Sequence, residues 1–130
     1  MSDHPESYRT LNSPARWSGR LGLSQALSAA GRNDFRAFRL GDVGPDLRFP
    51  AFVRWENEHS GSLGEPVMSH AAIQERADQY AHGRQRLKRH KLLVVEHLDA
   101  QSPDGFYRKY SAQRIGARLF PDMCSSATTG

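Results

Sequence analysis

A basic residue at the end of an apolar segment, followed by a glycine-containing loop, is the feature of this sequence best suited to chemistry. Residues 49–55 read F-P-A-F-V-R-W, and Arg54 comes near the end of this strand-like pattern. The polar turn that follows contains Gly61, Ser62 and Gly64. Glycines let backbone N–H groups approach an anion closely, and a guanidinium adds a positive charge. This combination suits the binding of a phosphate group.

The composition of the chain excludes several classes of site. Its 130 residues allow one domain with a modest core, and 11 Gly with 7 Pro predict many loops. The 18 basic and 14 acidic residues give a formal charge of +4, which tolerates an anionic partner without requiring one. A single cysteine, Cys124, excludes an internal disulfide and a multi-cysteine zinc site. The histidines lack a ligand-like spacing, so we predict no metal site.

The location of the protein is predicted from what the sequence lacks. No apolar run approaches the roughly 20 residues that a membrane-spanning helix needs. The N-terminal residues M-S-D-H-P-E-S do not combine a basic region with an apolar one, as a signal peptide would. We therefore expect a cytoplasmic protein without a membrane partner.

Two helices are predicted on either side of the Arg54 segment. The first begins at Ser13-Pro14, a capping residue followed by a proline suited to the first turn, and ends at Gly31. The second begins after Ser69, an N-cap residue, and runs to about Lys88 along an apolar face of alanines, Ile73 and Tyr80.

Short strands complete an α+β arrangement with mainly antiparallel pairing. Strands are predicted at residues 35–40, 49–55 and 92–98 from their alternating or continuous apolar character. A hairpin is predicted over residues 106–120, with its turn near Gly116-Ala117. Residues 1–10 and 122–130 are polar and are expected to be disordered.

Three segments, in this order along the chain, resemble the ATP-grasp family. Residues 50–54 with 61–64 resemble its strand with a basic end and its flexible glycine-rich loop. Residues 92–99 are similar to its adenine-binding hinge, and residues 107–118 resemble the hairpin that follows. More narrowly, residues 11–14, 49–61 and 105–112 resemble a little-characterised bacterial group of ATP-grasp-like proteins, and the resemblance covers residues 11–121.

The resemblance implies a role for each matching residue in binding ATP. Arg54, in place of the family's usual Lys, would contact the phosphates beneath the closing loop. The backbone groups of Glu96 and Leu98 would contact adenine, with His97 between them. Lys109 or Arg108 would supply a second cation, and strand alternation allows only one of these two to point inward. The complete set of implied nucleotide-binding residues is Arg54, Gly61, Ser62, Gly64, Glu96, His97, Leu98 and Lys109.

The resemblance also implies an incomplete enzyme. Residues 11–121 would form a partial ATP-grasp fold whose sheet is incomplete at its C-terminal end. The substrate domain and the magnesium ligands of the family find no match here, so we expect at most weak ATP binding and no carboxylate–amine ligation by the chain alone. The tail can be back-translated and read one base earlier as R-H-V-F-F-S-D-D-W, which resembles the family. We hypothesise that a frameshift precedes residues 122–130.

Two other hypotheses remain open. The first is a small basic module that binds nucleic acid or a protein partner through residues 84–91, R-Q-R-L-K-R-H-K. We interpret this run as the solvated end of the second helix, where cations complement the helix dipole, and it lacks aromatic residues for base stacking. Nucleic acid is therefore not the expected partner. The other hypothesis is an inactive remnant with exposed sheet edges.

Overall fold

The computed structural model describes residues 18–109, 111–121 and 125–128, in an α+β fold with short antiparallel strands. This confirms the predicted fold class at that level. The chain divides into two compact units, Met1–His97 and Leu98–Gly130. In the described part of the chain, no helix has the length and apolar character needed to cross a bilayer.

The first helix, α1, spans Gly19–Ala29. Its expected start at Ser13-Pro14 lies outside the described residues. Its C-terminal end is closed by two backbone hydrogen bonds, from Gly31 to the carbonyl of Ser28 at 3.0 Å and from Arg32 to that of Leu27 at 2.8 Å. Gly31 has φ +64°, the left-handed conformation that this type of helix end requires. The prediction that the helix ends at Gly31 is confirmed.

A three-stranded antiparallel sheet forms the centre of the first unit. It contains β1 (Ala37–Arg39), β2 (Ala51–Trp55) and β3 (Leu92–Glu96), and β3 lies in the middle. All three are shorter than the predicted strands. The outer edge of β2 is covered by the chain that follows it, because Ala51 exchanges two backbone hydrogen bonds with Val67, at 2.7 and 3.0 Å.

The second helix, α2, spans His70–Tyr80, and the Oγ of Ser69 accepts a hydrogen bond from the N–H of Ala72 at 3.1 Å. The predicted N-cap is therefore confirmed. The prediction that this helix continues to about Lys88 is wrong. Gly83, with φ +55°, instead begins a separate 3₁₀ helix, Gly83–Lys91, that leads into β3.

Strand alternation divides the sheet into two faces. The α2 face carries the larger core, in which Val53, Val94 and Ile73 are almost completely buried. The α1 face carries a smaller cluster of Leu21 from α1 with Ala37 and Leu93 from the sheet. The two faces differ in polarity as well, because Arg39 and Arg54 lie on the α1 face on either side of Leu93.

The second unit contains two pairs of strands. In one, β5 (Ala112–Ile115) and β6 (Arg118–Pro121) form a hairpin around Gly116-Ala117, which confirms the predicted turn. In the other, β4 (Phe106–Lys109) pairs with β7 (Ser125–Thr128). The prediction of a single hairpin over residues 106–120 is therefore wrong, because β4 pairs with β7 instead of with β6. Of the tail predicted to be disordered, residues 122–124 and 129–130 lie outside the described residues.

Candidate functional site

Arg54 lies on the α1 face of the sheet, opposite Leu93 in the register of β2 with β3. Its side chain is partly buried, and its Nε is buried without a hydrogen-bond partner in the described structure. Burial lowers the pKa of Arg54, and the positive charge of Arg20 lowers it further. A partly desolvated guanidinium beside a second cation is electrostatically unfavourable, and a bound anion would relieve this.

Arg20, in the first turn of α1, reaches across to the end of β2. Its Nη1 donates to the backbone carbonyl of Glu58 at 3.0 Å, and also contacts those of Glu56 at 3.2 Å and Trp55 at 3.4 Å. Arg20 therefore positions the turn through which β2 enters the glycine loop. No carboxylate among the described residues forms an ion pair with Arg20.

Arg39 occupies the same face but is in a different electrostatic state. Its Nη1 and Nη2 each lie 3.1 Å from a carboxylate oxygen of Glu56, so this guanidinium has a bidentate partner. Glu56 thus balances Arg39, and the charges of Arg20 and Arg54 stay uncompensated by ion pairs with the described residues. The α1 face consequently has a local excess of positive charge next to Arg54.

An aromatic pair lies on the same face as Arg54. The rings of Phe52 and His97 have their centroids 5.4 Å apart and are tilted by 52°. Phe52 precedes Arg54 by two residues, so their side chains leave the strand on one side, about 7 Å apart along it. Both rings are only partly buried. The α1 face therefore presents an apolar, aromatic surface next to a cation.

The glycine loop is open at one end and anchored at the other. Gly61, with φ +83°, and Ser62 are exposed, and no atom lies within 4 Å of a Cβ built on Gly61. At the other end, Leu63 donates to the carbonyl of Val53 at 2.7 Å. Gly64, with φ +73°, lies against the guanidinium of Arg76 from α2.

Arg76 holds this anchored end of the loop. Its Nη1 donates to the carbonyl of Leu63 and, at 2.8 Å, to that of Glu65. Arg76 belongs to α2, whereas Arg54 lies on the α1 face of the sheet. The guanidinium that contacts Gly64 therefore comes from α2, on the opposite face of the sheet from the Arg54 side chain.

Glu96 has a structural partner for each carboxylate oxygen. Its side chain is 1% exposed, lies on the α2 face, and pairs with Arg36 at 2.6 Å and Arg48 at 2.7 Å. The backbone N–H groups of the same arginines donate to it at 2.9 and 3.0 Å. Burial would raise the pKa of Glu96, but these hydrogen bonds lower it to about 2. The backbone N–H of Glu96 donates to the carbonyl of Arg36, and that of His97 donates to the carbonyl of Pro50.

Leu98 and Lys109 belong to the second unit. Leu98 is 41% exposed, and Lys109 is the last residue of β4. Its neighbour Arg108, the other predicted phosphate cation, forms an ion pair with Asp104 and lowers the pKa of that carboxylate to about 2. Within the first unit, then, the structure brings Arg54 and His97 to one face and places the Glu96 carboxylate on the other.

Two pockets lined by described residues of the first unit lie elsewhere. One of about 410 Å³ is lined by Arg39, Asp42, Gln74 and Arg89, among others, and none of the predicted nucleotide-binding residues lines it. A second, of about 280 Å³, lies between α1 and β1. In the described part of the chain, no cluster of three His, Cys, Asp or Glu side chains could hold a metal ion.

Two residues of this site, Arg20 and Phe52, were not predicted from the sequence. Arg20 lies 34 positions before Arg54, and only the packing of α1 across the sheet brings it close. Phe52 was predictable in principle, since it shares the i, i+2 alternation of β2 with Arg54. No protein family, characterised protein or solved structure gave a match to this chain.

Proposed function

We propose that the α1 face of the sheet binds the phosphate groups of a nucleotide, with Arg54 as the anchoring residue. The observation that carries the proposal is the Arg54 Nε, which is buried without a hydrogen-bond partner in the described structure. A buried donor left without an acceptor costs about 1–3 kcal/mol, and more when it is charged. A phosphate oxygen would supply that acceptor together with a compensating charge.

Arg20 supports the same interpretation. It lies close enough to Arg54 to lower its pKa, and its Nη1 is already held by the carbonyls at the end of β2. Two guanidinium groups held close together bind a doubly charged group better than a singly charged one, because each contributes attraction to the same anion.

The aromatic pair provides a surface for the base. Phe52 lies two strand positions from Arg54, a separation comparable to that between a nucleobase and its phosphates. His97 lies on the far side of Phe52 from Arg54, because its N–H donates to the carbonyl of Pro50. Stacking on an aromatic side chain contributes about 1–3 kcal/mol per base. ATP is the nucleotide that the resemblance suggests. Its affinity should be weak, because Arg76 ties one end of the glycine loop to α2 and so limits closure of the loop over the phosphates.

The experiment compares ATP binding to the wild-type chain, Arg54→Ala and Arg32→Ala by isothermal titration calorimetry. Arg32 is exposed and is not part of the site, so its variant is matched in charge. Arg54→Ala should weaken binding about tenfold or more, since one charge-assisted hydrogen bond is worth about 1.5–3 kcal/mol. Arg32→Ala should bind within about twofold of wild type. Equal affinities of the two variants would contradict the proposal.

Fragments of the ligand test the two halves of the site separately. Inorganic tripolyphosphate should compete with ATP in the wild-type protein and fail to bind Arg54→Ala. Adenosine should bind both proteins with similar, weaker affinity, because it lacks the phosphates that Arg54 would contact. If adenosine competes with ATP and tripolyphosphate does not, the phosphate site has been assigned to the wrong residues.

A further inference from the structure

The 3₁₀ helix Gly83–Lys91 is an exposed and strongly basic surface, which we call the basic segment. It contains no buried residue and no acidic residue. Leu87, its one large apolar side chain, is 83% exposed. Five of its nine residues are cationic: Arg84, Arg86, Lys88, Arg89 and Lys91.

The basic segment accounts for the positive charge of the whole protein. The chain has 18 basic and 14 acidic residues. Removing the five cations of this segment leaves 13 basic against 14 acidic residues, which is a net charge of −1 instead of +4. Five cations within nine residues, with no acidic residue among them, create a strong local positive field.

Complementing the dipole of α2 does not explain these charges. That helix ends at Tyr80 and has no basic residue in its last turn. Arg89 alone among the five is tied to α2, through Asp78 and, at 2.9 Å, Gln74. The other four form no ion pair with the described residues. Binding of an anionic partner would therefore relieve the mutual repulsion of these four cations.

The geometry of the segment suits a ligand with repeated negative charges. A 3₁₀ helix rises about 2 Å per residue with three residues per turn, so nine residues extend over about 18 Å. With three residues per turn, residues three apart lie on one side of the helix. Arg84, Arg86 and Lys88 therefore lie on three different sides of it. Charges spread along and around a rod meet successive phosphates of a backbone better than one compact anion.

We propose that the basic segment binds the phosphate backbone of nucleic acid without reading its sequence. The segment has no aromatic side chain to stack on bases, so the contact is electrostatic. An anionic membrane is a poorer partner, because Leu87 alone does not form the apolar face that inserts into a lipid surface. This proposal is independent of ATP binding at Arg54, and it departs from the expectation drawn from the sequence.

The test compares two double variants that carry the same net charge. Arg84→Gln/Arg86→Gln removes two cations from the basic segment. Arg32→Gln/Arg118→Gln removes two exposed cations from other parts of the chain. Binding of a fluorescent duplex of about 20 base pairs is measured by anisotropy between about 50 and 200 mM salt. Lys88→Gln/Lys91→Gln serves as a second segment variant, and circular dichroism verifies that each protein folds.

The expected results follow from counterion release. The four segment cations without an ion pair among the described residues predict a slope of log affinity against log salt of about −4 for wild type. Each segment variant should reduce the slope to about −2 and weaken binding at least tenfold at the lowest salt. The control should keep a slope of about −4.

Two results would overturn the proposal. Equal losses in the segment variants and the control would show that only net charge matters. Binding to phosphatidylserine vesicles that exceeds binding to the duplex would identify a lipid surface as the partner. The ATP titration of Arg54→Ala is unaffected by either result, so the two proposals fail separately.

Discussion

Arg48 Nη2 lies 2.7 Å from the carboxylate Oε2 of Glu96, and this contact joins the turn before β2 to the last residue of the central strand. Arg36, the residue before β1, forms an ion pair with the same carboxylate at 2.6 Å. One buried acid therefore holds together the chain segments that enter both outer strands. The resemblance implied adenine contacts for the backbone of this residue, but its side chain has a structural role.

Replacing Glu96 with Gln should destabilise the first unit by about 3 kcal/mol. Removing one partner of a buried ion pair costs about 3–5 kcal/mol, and the arginines here are partly exposed and can regain water, which places the cost at the lower end. Urea unfolding followed by tryptophan fluorescence measures the change. Asp46→Asn is the control, because Asp46 pairs with the same Arg36 but is 70% exposed. A loss as large for Asp46→Asn would contradict the assigned role of Glu96.

The stability of the protein should fall as the pH drops from about 4.5 to 2. Glu96 has a folded pKa of about 2 against an ordinary value of 4.5. Because the folded pKa is lowered, the stabilisation is present above pH 4.5 and is lost as the carboxylate protonates on acidification. The difference corresponds to about 3 kcal/mol. Unfolding midpoints measured across this range should fall more steeply for wild type than for Glu96→Gln, and parallel curves would exclude the effect.

The parts of the fold that depend on local sequence were predicted correctly. Ser69 begins α2 and Gly31 ends α1 because capping is decided by one or two residues and their immediate neighbours. The end of α2 was misjudged because residues 84–91 have helix-forming side chains, while Gly83 adopts φ +55° and interrupts the helix before them. The pairing of β4 with β7 depends on a long-range partner that local patterns do not specify.

The candidate site was predictable only in part for the same reason. Arg54 and His97 follow from strand positions that the sequence reveals, and they do lie on one face of the sheet. The neighbouring charge of Arg20 depends on how α1 packs, which no spacing in the sequence specifies. The position of the Glu96 side chain on the α2 face could have been deduced from strand alternation alone. Glu96 comes two residues after Val94, whose side chain lies on the α2 face, whereas Arg54 shares the α1 face with Leu93.

Gly64→Ala should destabilise the protein more than Gly61→Ala. Both glycines have positive φ, so each alanine carries a conformational cost of about 1 kcal/mol. A Cβ on Gly64 would also lie 2.6 Å from Arg76 Nη1, whereas a Cβ on Gly61 meets nothing within 4 Å. The displaced Arg76 would lose its hydrogen bonds to the loop. Comparing the urea midpoints of the two variants isolates that contact, and equal midpoints would mean that Arg76 does not hold the loop.

The last prediction concerns the pairing of Arg20 with Arg54 at the proposed phosphate site. If both guanidinium groups contact the same anion, their contributions to ATP binding should be coupled. A double-mutant cycle of Arg20→Gln, Arg54→Ala and the combined variant measures this coupling, which should reach about 0.5–3 kcal/mol for residues in one network. Arg39→Gln is a matched partner for a second cycle with Arg54→Ala, because Arg39 shares the face but is bound to Glu56.

The size and pattern of the coupling identify what Arg20 does. Loss of Arg20 also frees the carbonyls of Glu56 and Glu58, so some loss of stability is expected and is measured separately by urea unfolding. Coupling between Arg20 and Arg54 that clearly exceeds the coupling between Arg39 and Arg54 supports a shared anion. Additive effects of Arg20→Gln and Arg54→Ala would limit Arg20 to positioning the turn after β2. Arg54 would then have to anchor the nucleotide without a second cation.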